Sequence, residues 1–443
     1  MAETQEKLTI ASLTAKVNEL TTEINKYIEE KKLPTPTLSA DSEQFFPELS
    51  PDLFFKRQVL LDALQDLTML VQGPSESIFN WVAQAPSDLS SLNVLNHFNF
   101  WDAVPLDGDA SYAEIAERVK LPVDVVTRIL LHSTNVNLFA ETNPGKANTR
   151  IKHTARTAAL ARSEGLQSLV HSALDEQTPP TLVLKDALER YNVGKKQLAT
   201  KQEETAFALL HSGKLYEGHS SPWEFLESGT GWRSKKYTGF MRYLKDIFKL
   251  DNVILDLCDW KAAGAAHVVD VGGSAGHDAV VLAKTYPDLK VTVQDLPNVE
   301  SEFDKYVPDE YKSRVTYSAH SFFNEQPVKD ADIYVFKMIF HDYTEDNIVH
   351  ILRQLTPALK PGSRVILLEY IGNRGESEIV LPKSIRSWGS GPDLRLMALF
   401  NSTEKAEGDW RKYVEAADKR FEVQPLKTDA QKNFYIIEAV WRG

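Results

Sequence analysis

The sequence predicts a two-part α/β protein: a mostly helical N-terminal part followed by a C-terminal part built on a largely parallel sheet. Three observations carry this. Up to about residue 250, apolar residues recur mainly at helical spacing. From about residue 265, strand-like apolar runs alternate with helical segments. A glycine-rich turn joins the first of those strands to its helix.

Composition bounds the answer. The chain has 443 residues, 42% hydrophobic and 25% charged, which fits two or three ordinary globular domains and excludes collagen-like, disulfide-scaffold and wholly disordered chains. Lys plus Arg is 50 and Asp plus Glu is 62, a net charge of −12. An acidic chain repels phosphate backbones, so nucleic acid is not an expected partner. The single cysteine, Cys258, forms no internal disulfide or multi-cysteine metal site and reads as a small buried apolar residue. The opening Met1-Ala-Glu-Thr-Gln-Glu-Lys lacks a signal-peptide layout, and no run of 18 apolar residues occurs. A cytoplasmic protein without membrane contact is the expectation.

Taken in order, residues 1 to about 32 read as a helix, with Ile10, Leu13, Val17, Leu20, Ile24 and Tyr27 on one face. The breaker Leu33-Pro-Thr-Pro-Thr-Leu follows. A second helix is expected over 52–72, with Leu60, Leu61, Leu64, Leu67 and Val71 on its apolar face and Gly73-Pro74 as its stop. Such stripes cover another helix or, near a terminus, a second subunit. Residues 111–155 predict helix, turn, helix and wing: Ser111 caps a short helix with Glu114, Lys120-Leu-Pro turns the chain, a second helix runs from about Val123 to Ser133, and Phe139–Gly145 turns before Ile151-Lys-His-Thr. That second helix offers one strong cation, Arg128, so a structural or dimerisation role is favoured over DNA reading. Residues 156–250 read as helical and rich in aromatics, namely Phe207, Tyr216, Trp223, Phe225, Trp232, Tyr237, Phe240 and Tyr243, which suit a core or the wall of a pocket for a flat apolar substrate. The boundary between the parts falls near 245–262. The final run, Asn433 to Trp441, reads as a strand pair closing one sheet edge.

The chemistry concentrates at strand ends. Val268-Val-Asp-Val-Gly-Gly-Ser-Ala-Gly-His277 takes a buried strand into a turn in which Gly272, Gly273 and Gly276 admit a ligand to the backbone. The pattern is neither Gly-x-Gly-x-x-Gly nor a phosphate loop, and Asp270 suits a cationic or zwitterionic ligand. Asp295 ends the next strand, where a carboxylate can accept hydrogen bonds from ribose hydroxyls. The apolar strand Tyr334-Val-Phe-Lys-Met-Ile-Phe runs into His341-Asp-Tyr343, and a histidine at that end of a strand is a general-base candidate.

These motifs, with Pro361-Gly-Ser-Arg, Leu368-Glu369, Asp393-Leu-Arg-Leu-Met397 and Thr403-Glu404, resemble those of the class I S-adenosylmethionine-dependent O-methyltransferases, the small-molecule type of plants and fungal secondary metabolism. The resemblance spans nearly the whole chain. It implies a Rossmann-like seven-stranded methyltransferase domain and a winged-helix dimerisation domain, divided as 1–72 N-terminal helices, 73–155 winged-helix-like, 156–250 helical connector and 251–443 catalytic. It implies that S-adenosyl-L-methionine is held by Asp270, Gly272, Gly273, Gly276, Asp295, Ser321, Phe322 and Lys337. His341 is then the base, Glu369 and Glu404 orient it, and Met397 and Asn401 line the substrate pocket; no metal takes part. The expected assembly is a homodimer. Three positions depart from the family: Ser321 stands where an Asp is usual in the adenine loop, Tyr343 replaces Trp, and Lys405 replaces an Arg that its point charge does not copy. The expected reaction is O-methylation of a hydroxylated aromatic or polyketide-type molecule, with His341 taking the proton. Two rivals stand beside it. One is a pericyclase on the same fold, suggested by Ser321 and the aromatic 207–243 segment. The other is a non-catalytic binding protein built on the winged helix.

Overall fold

The computed structural model describes residues 7–212, 218–228, 231–247, 253–370, 381–429 and 434–443. Met1–Glu6, Tyr216 and Asn433 from the readings above lie outside them. The chain divides into two compact units. The first takes the chain to Pro179, Leu226–Tyr243 and a short stretch ending at Ser387; the second takes Pro180–Phe225, the chain from Leu244 to Ile379, and Trp388–Gly443. The units thus interleave in sequence rather than meeting at one boundary. None of the described helices is long and apolar enough to cross a membrane.

In the first unit, Thr9 and Ser12 form a capping box that starts the helix Ile10–Glu30, which buries Leu13, Leu20, Ile24 and Ile28. Ser50 caps the next helix, Pro51–Gln72, with proline at its first position. Only part of the apolar face expected on that helix is covered within the chain. Leu61, Leu64 and Val71 are 41%, 42% and 67% exposed, whereas Leu53, Gln58 and Ala63 are buried. The helix meets Ile10–Glu30 through Leu53 and Leu60, which pack with Ile24 and Ile28, and leaves Leu61, Leu64 and Val71 facing outward. Gly73, at φ 75°, ends that helix as expected, and Pro74 starts a further one, Pro74–His97.

Ser111 caps the helix Tyr112–Val119 and Glu114 returns the bond, its Oε2 accepting from Ser111 N at 2.7 Å. The helix Val123–Asn135 follows. Three short strands, β1 (Asp109–Ala110), β2 (Ala140–Glu141) and β3 (Ile151–Lys152), form an antiparallel sheet in the order β1-β3-β2. Phe100, Trp101, Ile115, Val126, Leu130, Phe139 and Ile151 form the core between these elements.

The second unit holds β4 (His267–Val271), β5 (Lys290–Asp295), β6 (Val315–Ala319), β7 (Ile333–Lys337), β8 (Arg364–Tyr370), β9 (Phe421–Val423), β10 (Lys427–Asp429) and β11 (Phe434–Trp441). The strand order is β10-β11-β8-β7-β4-β5-β6, with β9 also paired to β11. The five strands from β4 to β8 run parallel, and β11 pairs antiparallel with β8, β9 and β10. The last run is therefore one strand inside the sheet, not a pair at its edge. Alternate residues serve opposite faces. Val269, Tyr334 and Leu367 enter the core under the helices Glu345–Leu355 and Glu407–Ala417, and Val268, Val335 and Leu368 enter the core under His277–Thr285. Both faces are covered, as a parallel sheet requires.

Candidate active site

Parallel strands place their carboxyl ends on one side, and β4, β5, β6 and β7 deliver the candidate residues there. After β4, Gly272 and Gly276 adopt φ of 75° and 81°, and a Cβ on Gly273 would lie 2.4 Å from the carboxylate of Asp270. That carboxylate folds beneath the turn, 4% exposed, with Oδ2 unpartnered. Burial and the nearby Asp278 raise its pKa to about 7. Asp295, at the end of β5, accepts from Ser274 N at 2.9 Å and from Leu296 N at 2.8 Å. Burial outweighs those bonds and raises its pKa. Lys337, at the end of β7, pairs with Asp278 at 2.6 Å on the first turn of the helix His277–Thr285. Asp278 carries no obvious motif and was not anticipated.

The turn after β7 carries His341. Met338 sits at φ 56°, a left-handed conformation that a non-glycine residue adopts at a cost, and Phe340–Asp342 form one 3₁₀ turn. A Cβ on Gly272 would lie 2.5 Å from Ile339 Cδ1, so the glycine turn and the His341 turn are in contact. His341 Nδ1 lies 3.6 Å from Glu369 Oε2, and Nε2 lies 3.5 Å from Asp342 Oδ1. Both separations are longer than hydrogen bonds, a slackness common in catalytic groups before substrate arrives. Nδ1 is buried without a partner, so Nε2 is the more open ring nitrogen. The ring stacks on Tyr370 at 5.8 Å.

Burial governs the titration of this cluster. It pushes His341 down to about 3, helped by the Lys405 ammonium, and pushes Asp342 and Glu404 up to about 8 and Glu369 up to about 7. The imidazole is therefore neutral at physiological pH, and protonating it is costly unless a flanking carboxyl group is ionised.

Sequence reasoning and structure differ on the flanking groups. Glu369 lies beside His341 as expected, but the carboxylate near the other ring nitrogen is Asp342. No ion pair joins Glu404 to His341; Glu404 Oε2 is buried and unpartnered, and its charge interacts with Glu369, Lys405, Asp393 and Arg395. Phe322 packs against Phe323 and Tyr343 beside the half-buried Ser321. Met397 is half-buried on the helix Lys383–Phe400, and Asn401 ends that helix at φ 51°, its side-chain amide donating to Lys201 O at 3.3 Å. Lys405, noted from sequence only as a departure, is fully buried and donates to the carbonyls of Phe340, His341 and Tyr343.

Residues 222–418 match the O-methyltransferase domain family. Over 437 residues the chain is 39% identical to the O-methyltransferase lcsG of Purpureocillium lilacinum, covering 97% of this chain and 92% of that one. The chain belongs to the O-methyltransferase family. This O-methyltransferase also shares its fold with solved structures. OxaC in complex with S-adenosylhomocysteine and oxaline matches with a TM-score of 0.73 at 19% identity, covering 98% of this chain and 99% of that one. A protein described as a pericyclic reaction enzyme matches with a TM-score of 0.68 at 19% identity, covering 95% and 99%. S-adenosylmethionine is the cofactor of the family. The residues at the glycine turn fit it. Asp270 Oδ2 and Asp278 Oδ1 are buried and unpartnered, acceptors suited to a ligand with ammonium and sulfonium groups, whose positive charge would favour the ionised form of Asp270. The same turn has no room for a Cβ at Gly272 or Gly273.

Proposed function

We propose that this O-methyltransferase methylates a hydroxyl of a small aromatic or polyketide-type secondary metabolite, with His341 as the general base. The contact between the glycine turn and the His341 turn carries this reading, because it sets a neutral imidazole beside the acidic turn that suits the cofactor. Bound S-adenosylmethionine supplies an electrophilic methyl group. Asp270, Gly272, Gly273, Gly276, Asp295, Ser321, Phe322 and Lys337 hold it, with Asp295 facing the ribose hydroxyls. His341 Nε2 takes the proton of the acceptor hydroxyl as its oxygen gains the methyl. Glu369, raised only to about 7, is the flanking carboxyl group best able to ionise and stabilise the imidazolium that results, while Asp342 and Glu404, raised to about 8, are largely protonated near neutrality. Met397 and Asn401 contribute to the acceptor pocket.

Around this chemistry, residues 73–155 act as a winged-helix dimerisation domain, after N-terminal helices over 1–72. Residues 156–250 connect them to the catalytic domain over 251–443. The working form is a cytoplasmic homodimer.

The test incubates the protein with methyl-labelled S-adenosylmethionine and a small-molecule extract of the producing organism, followed by mass spectrometry. A labelled product with matching S-adenosylhomocysteine supports the reading. An unlabelled isomer or dehydration product overturns it in favour of pericyclic chemistry. With the acceptor in hand, His341→Ala should lower turnover by about 10²–10⁴-fold while calorimetry still detects cofactor binding. Near-full turnover in that variant would remove His341 as the base.

A further inference from the structure

The 3₁₀ turn that carries His341 is gripped from both sides by buried charge. On its amide side, Glu369 Oε1 accepts from Ile339 N at 2.9 Å and from Phe340 N at 2.7 Å. On its carbonyl side, Lys405 Nζ donates to Phe340 O at 2.8 Å, Tyr343 O at 2.8 Å and His341 O at 3.1 Å. It also donates to Ser402 Oγ at 2.9 Å, and the Ser402 hydroxyl donates to His341 O at 2.6 Å. Glu369, Ser402 and Lys405 are 0%, 2% and 2% exposed.

We propose that Lys405 is a positioning residue for the methyl transfer: with Ser402 it holds the carbonyls of the His341 turn while Glu369 holds its amides, and this clamp fixes the imidazole beside the glycine turn. The proposal rests on the reading of His341 as the base.

Three features separate a clamp from a counter-ion. The four acceptors within reach of Lys405 Nζ are neutral oxygens, not carboxylates. The charges follow the turn's own polarity, with the carboxylate at exposed N–H groups and the ammonium at exposed C=O groups, the arrangement that a helix dipole favours. The turn is also strained, since Met338 enters it at φ 56°, and such a backbone persists only where its surroundings hold it. A lysine suits the task. Its three N–H groups rotate to meet carbonyls in different directions, and Ser402 adds a second donor to the His341 carbonyl. The groups that face it are Asp342 on the turn, Glu369 on β8, Glu404 beside it in sequence, and Asp393 on the helix Lys383–Phe400. Arg395 adds positive charge near Glu404 from the same helix.

The experiment compares Lys405→Met, Lys405→Arg and Ser402→Ala with the wild type. Histidine labelled with carbon-13 reports on the ring of His341, whose signal is identified by its loss in His341→Ala. In the wild type that signal should not titrate between about pH 5 and pH 8. In Lys405→Met it should titrate within that range, as the turn opens to water. Turnover on the acceptor should fall about 100-fold, the cost of a 1 Å misplacement, with cofactor affinity held within a few-fold. Lys405→Arg should restore both the silent signal and most of the turnover. Ser402→Ala keeps the ammonium and should lie between, and it is the deciding variant if Lys405→Met does not fold.

Two results would overturn the clamp. One is a folded Lys405→Met protein with a wild-type His341 signal and turnover. The other is a Lys405→Arg protein as impaired as Lys405→Met. Loss of the ammonium by itself raises His341 in Lys405→Met, so the charge-preserving Ser402→Ala carries the titration arm: a merely structural contact would lower its thermal stability without moving the His341 signal. If His341→Ala keeps full turnover while Lys405→Met still frees the His341 signal, the base assignment fails and the clamp stands.

Discussion

Four buried carboxyl groups around the two turns hold protons that an unfolded chain would release. Burial raises Asp270 and Glu369 to about 7 and Asp342 and Glu404 to about 8, from ordinary values of 3.8 and 4.5. A carboxyl group with a raised folded pKa stabilises the fold below its unfolded pKa, and that contribution is lost as pH climbs toward the folded pKa. These four groups therefore make the protein less stable as pH rises from about 4 to about 8. His341, lowered to about 3 from 6.5, works the other way: its contribution is present above 6.5 and is lost as pH falls toward 3. Glu404 is the cleanest probe, because its Oε2 has no partner to lose. Glu404→Gln should raise the melting temperature at pH 8, by about 2–4 °C for each kcal/mol relieved, and should raise it less at pH 5.5, where the wild-type group is already protonated. Melting curves at both pH values check this. A gain that is equal or larger at pH 5.5 would contradict the burial penalty.

At the scale of the element, the glycine turn does two things that a substitution can separate. Gly272 has φ 75°, which disfavours any side chain, and a Cβ there meets Ile339 on the His341 turn. Gly362 has φ 89° with no atom within 4 Å of an added Cβ. Gly362→Ala should cost backbone strain alone, on the order of 1–2 kcal/mol. Gly272→Ala should add a collision to that strain and weaken cofactor binding at least about 10-fold, equivalent to 1.4 kcal/mol. Calorimetry with S-adenosylmethionine distinguishes them, and equal cofactor affinity in the two variants would show that the contact carries nothing. The turn, Asp295 and His341 were legible because each is a local motif: an apolar strand followed by the residue type that its end requires. The rest of the site joins segments far apart in the chain. Asp278 meets Lys337 across 59 residues, and Lys405 meets the His341 carbonyl across 64. No local spacing encodes such pairs. Glu404 was read as a flank of His341 because its motif names it, yet the carboxylate next in sequence to the histidine lies against the ring. The leucine stripe of Pro51–Gln72 was legible as an apolar face, while its covering was not. Periodicity shows that a face is apolar, not what covers it.

What covers that face is a question for the whole molecule. Beside Leu61, Leu64 and Val71, the next helix leaves Ile78, Phe79, Trp81 and Val82 between 58% and 71% exposed. Scattered apolar residues are ordinary on a protein surface, but so many large ones on two consecutive helices exceed what a soluble monomer usually shows. The proposed homodimer would place a second copy of the chain on this surface. A two-fold interface sets the same patch on both partners, so an apolar patch complements itself, whereas two chains at −12 each would repel one another wherever acidic faces met. The apolar helices are thus where association costs least. Light scattering on the wild type should give about twice the 49.9 kDa chain mass. Trp81→Asp combined with Val82→Asp should return the mass to that of one chain, because two carboxylates would be buried without partners at the centre of the patch. Circular dichroism should stay unchanged, since both side chains are exposed in the single chain and contribute little to its own core. A wild type that runs as one chain, or a double variant that still runs as two, would place the dimer elsewhere or remove it.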